Sequence, residues 1–162
     1  MIRRAKNTDI STVEEILFDA VIWMKSNGIS NLWSLESVKW VALSREYKID
    51  DFYIYFDKNK PVACMAITNK DLKYWPNVEE NSSLYLHKLA VKKEARGNGI
   101  SKEMIDFIKE KAYAEKINEI RLDCNVNGRK LCNLYEAQGF KYVESVSVGK
   151  DYNLALYVCY LK

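Results

Sequence analysis

The chain has 162 residues, 48% of them hydrophobic and 29% charged, with a net charge of +3. That length fits a single domain, 1–162, with a real core, and the composition is that of a soluble globular protein. The small positive charge gives no case for a nucleic-acid partner, no apolar run approaches a membrane span, and no signal-peptide stretch opens the chain, so a cytoplasmic protein is expected.

Ile2 to Ala5 reads as a short strand. Thr8 or Asp9 then starts a helix with Ile10, Val13, Ile16, Leu17, Ala20, Val21 and Met24 at helical spacing, and Gly28 ends it. Gly28 to Trp33 is a loop, and Ser34 caps a second helix carrying Leu35, Val38, Val41 and Ala42. Asp51 to Phe56 and Pro61 to Thr68 form a hairpin turned by Asp57-Lys58-Asn59-Lys60. Asn69 to Ser82 is a polar loop with Trp75-Pro76 and the acids Asp71, Glu79 and Glu80.

The stretch from Ser83 to Ser101 organises the rest. Its strand, Ser83 to Val91, breaks alternation: Leu84 and Leu86 share one parity, Leu89 and Val91 the other. A β-bulge near His87 and Lys88 explains the change of phase; an ordinary strand with one polar slip is the alternative. Arg96-Gly97-Asn98-Gly99-Ile100-Ser101 follows, and from Ile100 the spacing of Met104, Ile105, Ile108 and Ala112 is helical. Two glycines in a turn at a helix N-terminus let an anion approach free N–H groups, so strand, glycine turn and helix in that order point to phosphate. The dinucleotide fingerprint fails at Lys102, where its third glycine should stand, and no P-loop string occurs.

Glu119 to Cys124 is the next strand, Asn125 to Gly128 a turn, and Arg129 to Gln138 a helix with Leu131, Leu134 and Tyr135 on one face and Gly139 as its stop. Phe140 to Val148 and Asn153 to Leu161 close the chain as an antiparallel pair. The order β-α-α-β-β-β-α-β-α-β-β contains one βαβ unit, which makes two central strands parallel. Four cysteines without a CxxC pair read as reduced core thiols, and a single histidine argues against a zinc site; no metal is expected.

Leu89-Ala90-Val91 before Arg96-x-x-Gly99-x-Ser101 resembles the signature of the GNAT superfamily of acyl-CoA-dependent N-acyltransferases, Gln/Arg-x-x-Gly-x-Gly/Ala after a bulged strand. Ser101 departs from the last position, a small change in packing. Leu134-Tyr135-x-x-x-Gly139-Phe140 is similar to a second GNAT pattern, and Tyr85-Leu86-His87-x-Leu89-Ala90-Val91 with Arg121-Leu122-Asp123-Cys124 resembles a bacterial subgroup. The resemblance implies an α/β fold: a mixed, mostly antiparallel sheet with two central parallel strands that splay apart, flanked by helices. It implies acetyl-CoA as co-substrate, with pantetheine on the backbone at Leu89, Ala90 and Val91. The pyrophosphate would lie on Arg96, Gly97, Asn98, Gly99, Ile100 and Ser101, and the thioester near Tyr135. Gly128 stands where many members place Asn, and Asn127 is the substitute.

The implied reaction is direct acetyl transfer to a primary amine in a ternary complex. The acceptor is a small-molecule or peptide amine. Tyr135 is the candidate acid for the leaving thiolate, or a packed aromatic. His87 is the candidate base, with histidine's ordinary pKa of about 6.5, or a structural residue of the bulge. Some members carry a histidine at the matching place. The acids Asp71, Glu79 and Glu80 either attract a cationic amine or are a solvated loop. Trp33 and Trp75 either wall an acceptor pocket or pack. The rival reading is a non-catalytic acyl-CoA-binding sensor. Oligomeric state, a homodimer included, is left open.

Overall fold

The computed structural model describes residues 1–29 and 31–162; Ser30, in the loop read from Gly28 to Trp33, lies outside the described residues. The chain forms two compact units, one of Met1–Ile67 with Lys88–Met104, the other of Thr68–His87 with Ile105–Lys162.

The first unit begins with strand β1 (Ile2–Arg4) and helix α1 (Ile10–Ser26), followed by the single turn of helix α2 (Trp40–Leu43), then β2 (Phe52–Asp57) and β3 (Lys60–Thr68). Lys58 and Asn59 both take positive φ at the hairpin turn, 46° and 66°, the mirror-image turn that matches strand twist. Strand β4 (Leu84–Val91) enters this unit with its last four residues and helix α3 (Ile100–Ala114) with its first five. Pairing runs β1–β2–β3–β4, with β1–β2 and β2–β3 antiparallel. The core gathers the stripe of α1 (Val13, Ile16, Leu17, Ala20, Val21) with Phe52, Ile54, Cys64 and Ala66 from the hairpin and Ala90 from β4.

The second helix read from the sequence shrinks to one turn. Ser34 and Ser37 exchange hydrogen bonds, each hydroxyl accepting the other's N–H at 3.1 and 2.8 Å, and close a turn of their own. Lys39 is extended (ψ 146°), so helix restarts only at Trp40, whose N–H is capped from α1 by the Glu14 carboxylate at 2.6 Å. Val38 is therefore buried while Val41 is 69% exposed.

At the start of α1 the buried Asp9 carboxylate receives two N–H bonds from Arg3, at 2.8 and 2.9 Å, and the Lys6 N–H at 2.8 Å. The Arg3 guanidinium, more than the Lys6 amide, holds the Asp9 carboxyl below its ordinary value. A depressed carboxylate stabilises the fold above its unfolded pKa of about 3.9 and loses that contribution as pH falls through the lower folded value. Asp9→Asn is expected to cost about 1.5–3 kcal/mol near neutral pH, read by urea denaturation, with the difference from wild type closing in acid. Equal stability at neutral pH would show that the pair contributes nothing.

The second unit holds the first four residues of β4, then β5 (Glu119–Asn125), helix α4 (Arg129–Ala137), β6 (Lys141–Ser147) and β7 (Asn153–Tyr160). Pairing runs β4–β5–β7–β6; β4–β5 is parallel, and β5–β7 and β7–β6 are antiparallel. Strand β7, not β6, sits beside β5, which is why β7 is buried along its length and β6 is exposed at the edge. Strand β5 alternates: Ile120, Leu122 and Cys124 are buried, while Glu119, Arg121, Asp123 and Asn125 share the other face. Buried Ser83 ties the parallel pair, donating to Glu119 and accepting from Arg121 Nε, both at 3.1 Å, while Arg121 pairs with Glu119 at 2.6 Å. The sheet is mixed and mostly antiparallel with one parallel pair, and helices accompany it, as the sequence implied.

Candidate active site

In the first unit the glycine turn has the geometry its sequence implies. Gly97 and Gly99 both hold left-handed φ, 80° and 77°. No atom lies within 4 Å of where a Cβ would stand on either, so the backbone is open to an incoming group. Helix α3 starts directly after, and the first N–H groups of a helix have no acceptor within it. The Gly99 carbonyl accepts the Glu103 N–H at 3.1 Å and fixes the turn to that helix. Arg96 is held rather than loose: its Nε donates to the Val91 carbonyl at 3.0 Å, and its guanidinium lies 3.8 Å from the centre of the Trp23 ring. Arg96 thus braces the end of β4 against α1. Asp19, also on α1, accepts the Lys93 N–H at 2.8 Å and anchors the intervening turn.

Where the sequence placed a bulge, Lys88 takes φ 53°, a left-handed conformation that a non-glycine residue adopts only at a cost of about 1–3 kcal/mol. Its ammonium sits 4.9 Å over the Trp33 ring. Beyond it Ala90 enters the core, while Leu89 and Val91 are half-buried.

In the second unit β4 is paired with β5 at Leu84↔Ile120 and Tyr85↔Arg121, and among the described residues the ladder goes no further along this unit's part of β4. There the single histidine is in company. A ring nitrogen of His87 and one carboxylate oxygen each from Asp71 and Asp123 lie within 4.8 Å of one another, all three half-buried. His87 stacks on the buried Tyr85, rings 6.4 Å apart and 15° from parallel, and its Nε2 is 3.1 Å from the Thr68 hydroxyl. Asp71 is fixed because its Oδ1 accepts the N–H groups of Lys73 and Tyr74, at 3.0 and 3.1 Å. Of the loop acids read from the sequence, only Asp71 reaches His87; Glu80 pairs with Lys70 at 3.8 Å and Glu79 is exposed. Three such groups form a possible ligand set for a divalent cation, a set that counting histidines did not foresee. Sequence reading missed Asp123 as a partner of His87, although the alternation of β5 already set it opposite the core residues.

Tyr135, on α4, is 4% exposed and packs edge-on against Phe140, centroids 5.7 Å apart. Burial first, and then the thiols and Asp123 around it, push its phenol pKa well above the ordinary value, so the hydroxyl stays protonated. The buried face of α4 is Cys132 and Tyr135; Leu131, read on one face with Leu134 and Tyr135, is exposed. Asn127 is exposed in the turn before α4, its N–H donating to Asn125 Oδ1 at 3.0 Å. A Cβ at Gly128 would stand 3.2 Å from the Asn125 carbonyl, so the turn itself favours glycine there.

All four cysteines are free and buried. Burial raises the pKa of the Cys64, Cys124 and Cys159 thiols, which makes them poor nucleophiles. Trp33 packs against the core of the first unit. Trp75 is buried with Tyr85 and Leu156 in the second, under the Arg121 guanidinium at 4.7 Å, and its indole N–H has no partner among the described residues. Among those residues no helix is long and apolar enough to cross a membrane.

Residues 17–140 match the Acetyltransferase (GNAT) family, and the chain belongs to that family. It is an acetyltransferase whose family activity is transfer from acetyl-CoA to an amine. It is 22% identical over 154 residues to an uncharacterized N-acetyltransferase of Bacillus subtilis, covering 87% of this chain and 81% of that protein. It is 32% identical over 82 residues to N-alpha-acetyltransferase 30 of Saccharomyces cerevisiae, covering 51% of this chain and 44% of that one. Among solved structures it is similar to a GNAT acetyltransferase of Listeria monocytogenes, with TM-score 0.76, 21% identity, and 99% and 94% of the two chains covered. It is also similar to a ribosomal-protein-alanine N-acetyltransferase of Brucella melitensis, with TM-score 0.72, 20% identity and 99% of each chain covered. At these identities the structural likeness is one of fold.

Proposed function

We propose that this acetyltransferase moves acetyl directly from acetyl-CoA to a primary amine in a ternary complex. The observation that carries the reading is the Arg96–Ser101 turn. Two left-handed glycines, with open space where their side chains would be, stand at the head of a helix of 15 residues. Amides and helix dipole there suit a pyrophosphate. On this reading Gly97, Asn98, Gly99, Ile100 and Ser101 bind the pyrophosphate through backbone N–H groups. Leu89, Ala90 and Val91 offer backbone to the pantetheine amides, and Asn127 adds a contact near the turn before α4. Arg96 serves by bracing β4, since Val91 and Trp23 already hold its side chain.

Direct transfer is favoured over an acyl-enzyme by the state of the thiols, since Cys64, Cys124 and Cys159 are buried with raised pKa values. His87 takes the proton of the attacking amine and Tyr135 donates one to the departing thiolate. A sensor without activity drew its support from Gly128, and the 3.2 Å approach of Asn125 gives that glycine a structural reason instead. The strings at Tyr85–Val91 and Arg121–Cys124 support membership of a bacterial subgroup that shares them. Four reduced, buried cysteines support a cytoplasmic setting.

Gly99→Glu tests the phosphate assignment. It sets a carboxylate at the anion site and is expected to weaken acetyl-CoA binding at least about tenfold by calorimetry, or about 1.4 kcal/mol. Gly99→Asn tolerates positive φ and carries no charge, so it separates backbone strain from repulsion. Wild-type affinity in folded Gly99→Glu would remove the pyrophosphate from this turn.

A further inference from the structure

The helix that the glycine turn opens carries a carboxylate in its own first turn. Glu103 stands there, its backbone N–H tied to the Gly99 carbonyl at 3.1 Å. Its side chain is held from another element of the same unit: Tyr55, on β2, donates its hydroxyl to Glu103 Oε2 at 2.8 Å. We propose that Tyr55 is a positioning residue for acetyl-CoA, which keeps the Glu103 carboxylate off the amides of the Arg96–Ser101 turn and so leaves them open to pyrophosphate. This rests on the pyrophosphate reading above.

Helix geometry sets up the conflict. Side chains of a helix lean back toward its N-terminus. A glutamate in the first turn can therefore accept the backbone N–H three residues earlier, as the acid of a capping box does. For Glu103 that amide belongs to Ile100, the first residue of α3 and one of the donors assigned to the pyrophosphate. The helix dipole favours the same movement, because its positive end attracts any anion, whether it belongs to the chain or to a ligand. An unrestrained Glu103 is thus a competing anion built into the site.

Tyr55 offers this carboxylate a different partner. The Glu103 side chain is exposed, and among the described residues the Tyr55 hydroxyl is the group that holds it. The anchor is rigid: Tyr55 is half-buried and lies in the middle of the sheet, paired with Ile2 of β1 on one side and Ala63 of β3 on the other. A phenol donating to a carboxylate makes a charge-assisted bond, stronger than one between neutral groups. The Glu103 carboxylate, and then burial, raise the Tyr55 phenol above its ordinary pKa, so the donor keeps its proton at neutral pH.

CoA is titrated calorimetrically into wild type, Tyr55→Phe, Glu103→Ala and the double variant, with urea denaturation to show that each is folded. Phenylalanine keeps the ring, and alanine keeps the helix. Tyr55→Phe frees the carboxylate and should bind CoA about fivefold more weakly, or about 1 kcal/mol. Glu103→Ala should bind at least as tightly as wild type. The double variant should match Glu103→Ala, since the hydroxyl has no task once the carboxylate is gone. A hydroxyl that only stiffened the sheet would give no such rescue. Wild-type affinity in Tyr55→Phe, or a loss that the double variant retains, overturns the proposal. Gly99→Glu, measured alongside, separates it from the reading on which it rests. Weakened binding in Gly99→Glu with none in Tyr55→Phe removes the positioning role alone. Wild-type affinity in Gly99→Glu removes the pyrophosphate from the turn, and the role of Tyr55 with it.

Discussion

Tyr135→Phe is expected to lower kcat about 10²-fold or more while leaving acetyl-CoA affinity nearly unchanged. The ring is the structural part of this residue. It is buried at 4% exposure and packs edge-on against Phe140, contacts that phenylalanine keeps. The hydroxyl is the chemical part. Its raised pKa keeps it protonated across the working range, so it can always donate. A phenol made less acidic by burial is a weak acid against a thiol in water, but a departing thiolate in the same dry setting is raised too. Burial raises the nearby Cys124 thiol in the same way. Steady-state and single-turnover rates, with calorimetry for affinity, check the result. Near-normal turnover with chemistry shown to be rate-limiting would make Tyr135 a packing residue.

His87→Gln is expected to remove the acid limb of the kcat/KM profile and to slow the reaction substantially. An alkylammonium with a pKa of about 10.4 is less than about a thousandth neutral at pH 7, so a base must take its proton as attack proceeds. Histidine is the side chain that ordinarily changes charge between about pH 5 and 8. The groups facing it are Asp71, Asp123, the stacked Tyr85 and the Thr68 hydroxyl. Only the neutral imidazole can take that proton, so activity should rise with pH as the imidazolium loses its own. Glutamine preserves a polar contact to Thr68 without titrating. An acid limb that persists in the variant would pass the role to a carboxylate or to the substrate amine.

The glycine turn was legible because each of its parts has a local cause. Positive φ at two positions favours glycine, and the spacing from Ile100 to Ala112 announces a helix whose start could be placed to the residue. The break in alternation near His87 and Lys88 was legible, and the left-handed backbone of Lys88 falls at that place; that Ala90 rather than Leu89 or Val91 is buried there was not. The segment after Ser34 misled for a different reason. Its apolar spacing is helical, yet the Ser34–Ser37 exchange and the extended Lys39 break the helix, and its remaining turn is capped by Glu14, 26 residues away. Asp71 and Asp123 meet His87 through tertiary placement of an aperiodic loop. No pattern in the sequence sets that meeting, although the parity of Asp123 on β5 could be counted.

The most direct test of direct transfer is intact-mass analysis of the protein with acetyl-CoA alone, and with acetyl-CoA and propylamine or a tripeptide amide with a free N-terminus, while free thiol is counted. The account predicts one thiol released for each acetylated amine formed, only when both substrates are present, with no acetyl group on the protein at any time. Acetyl on a cysteine before the amine is added, with that acetyl passing on to the amine afterwards, would contradict it.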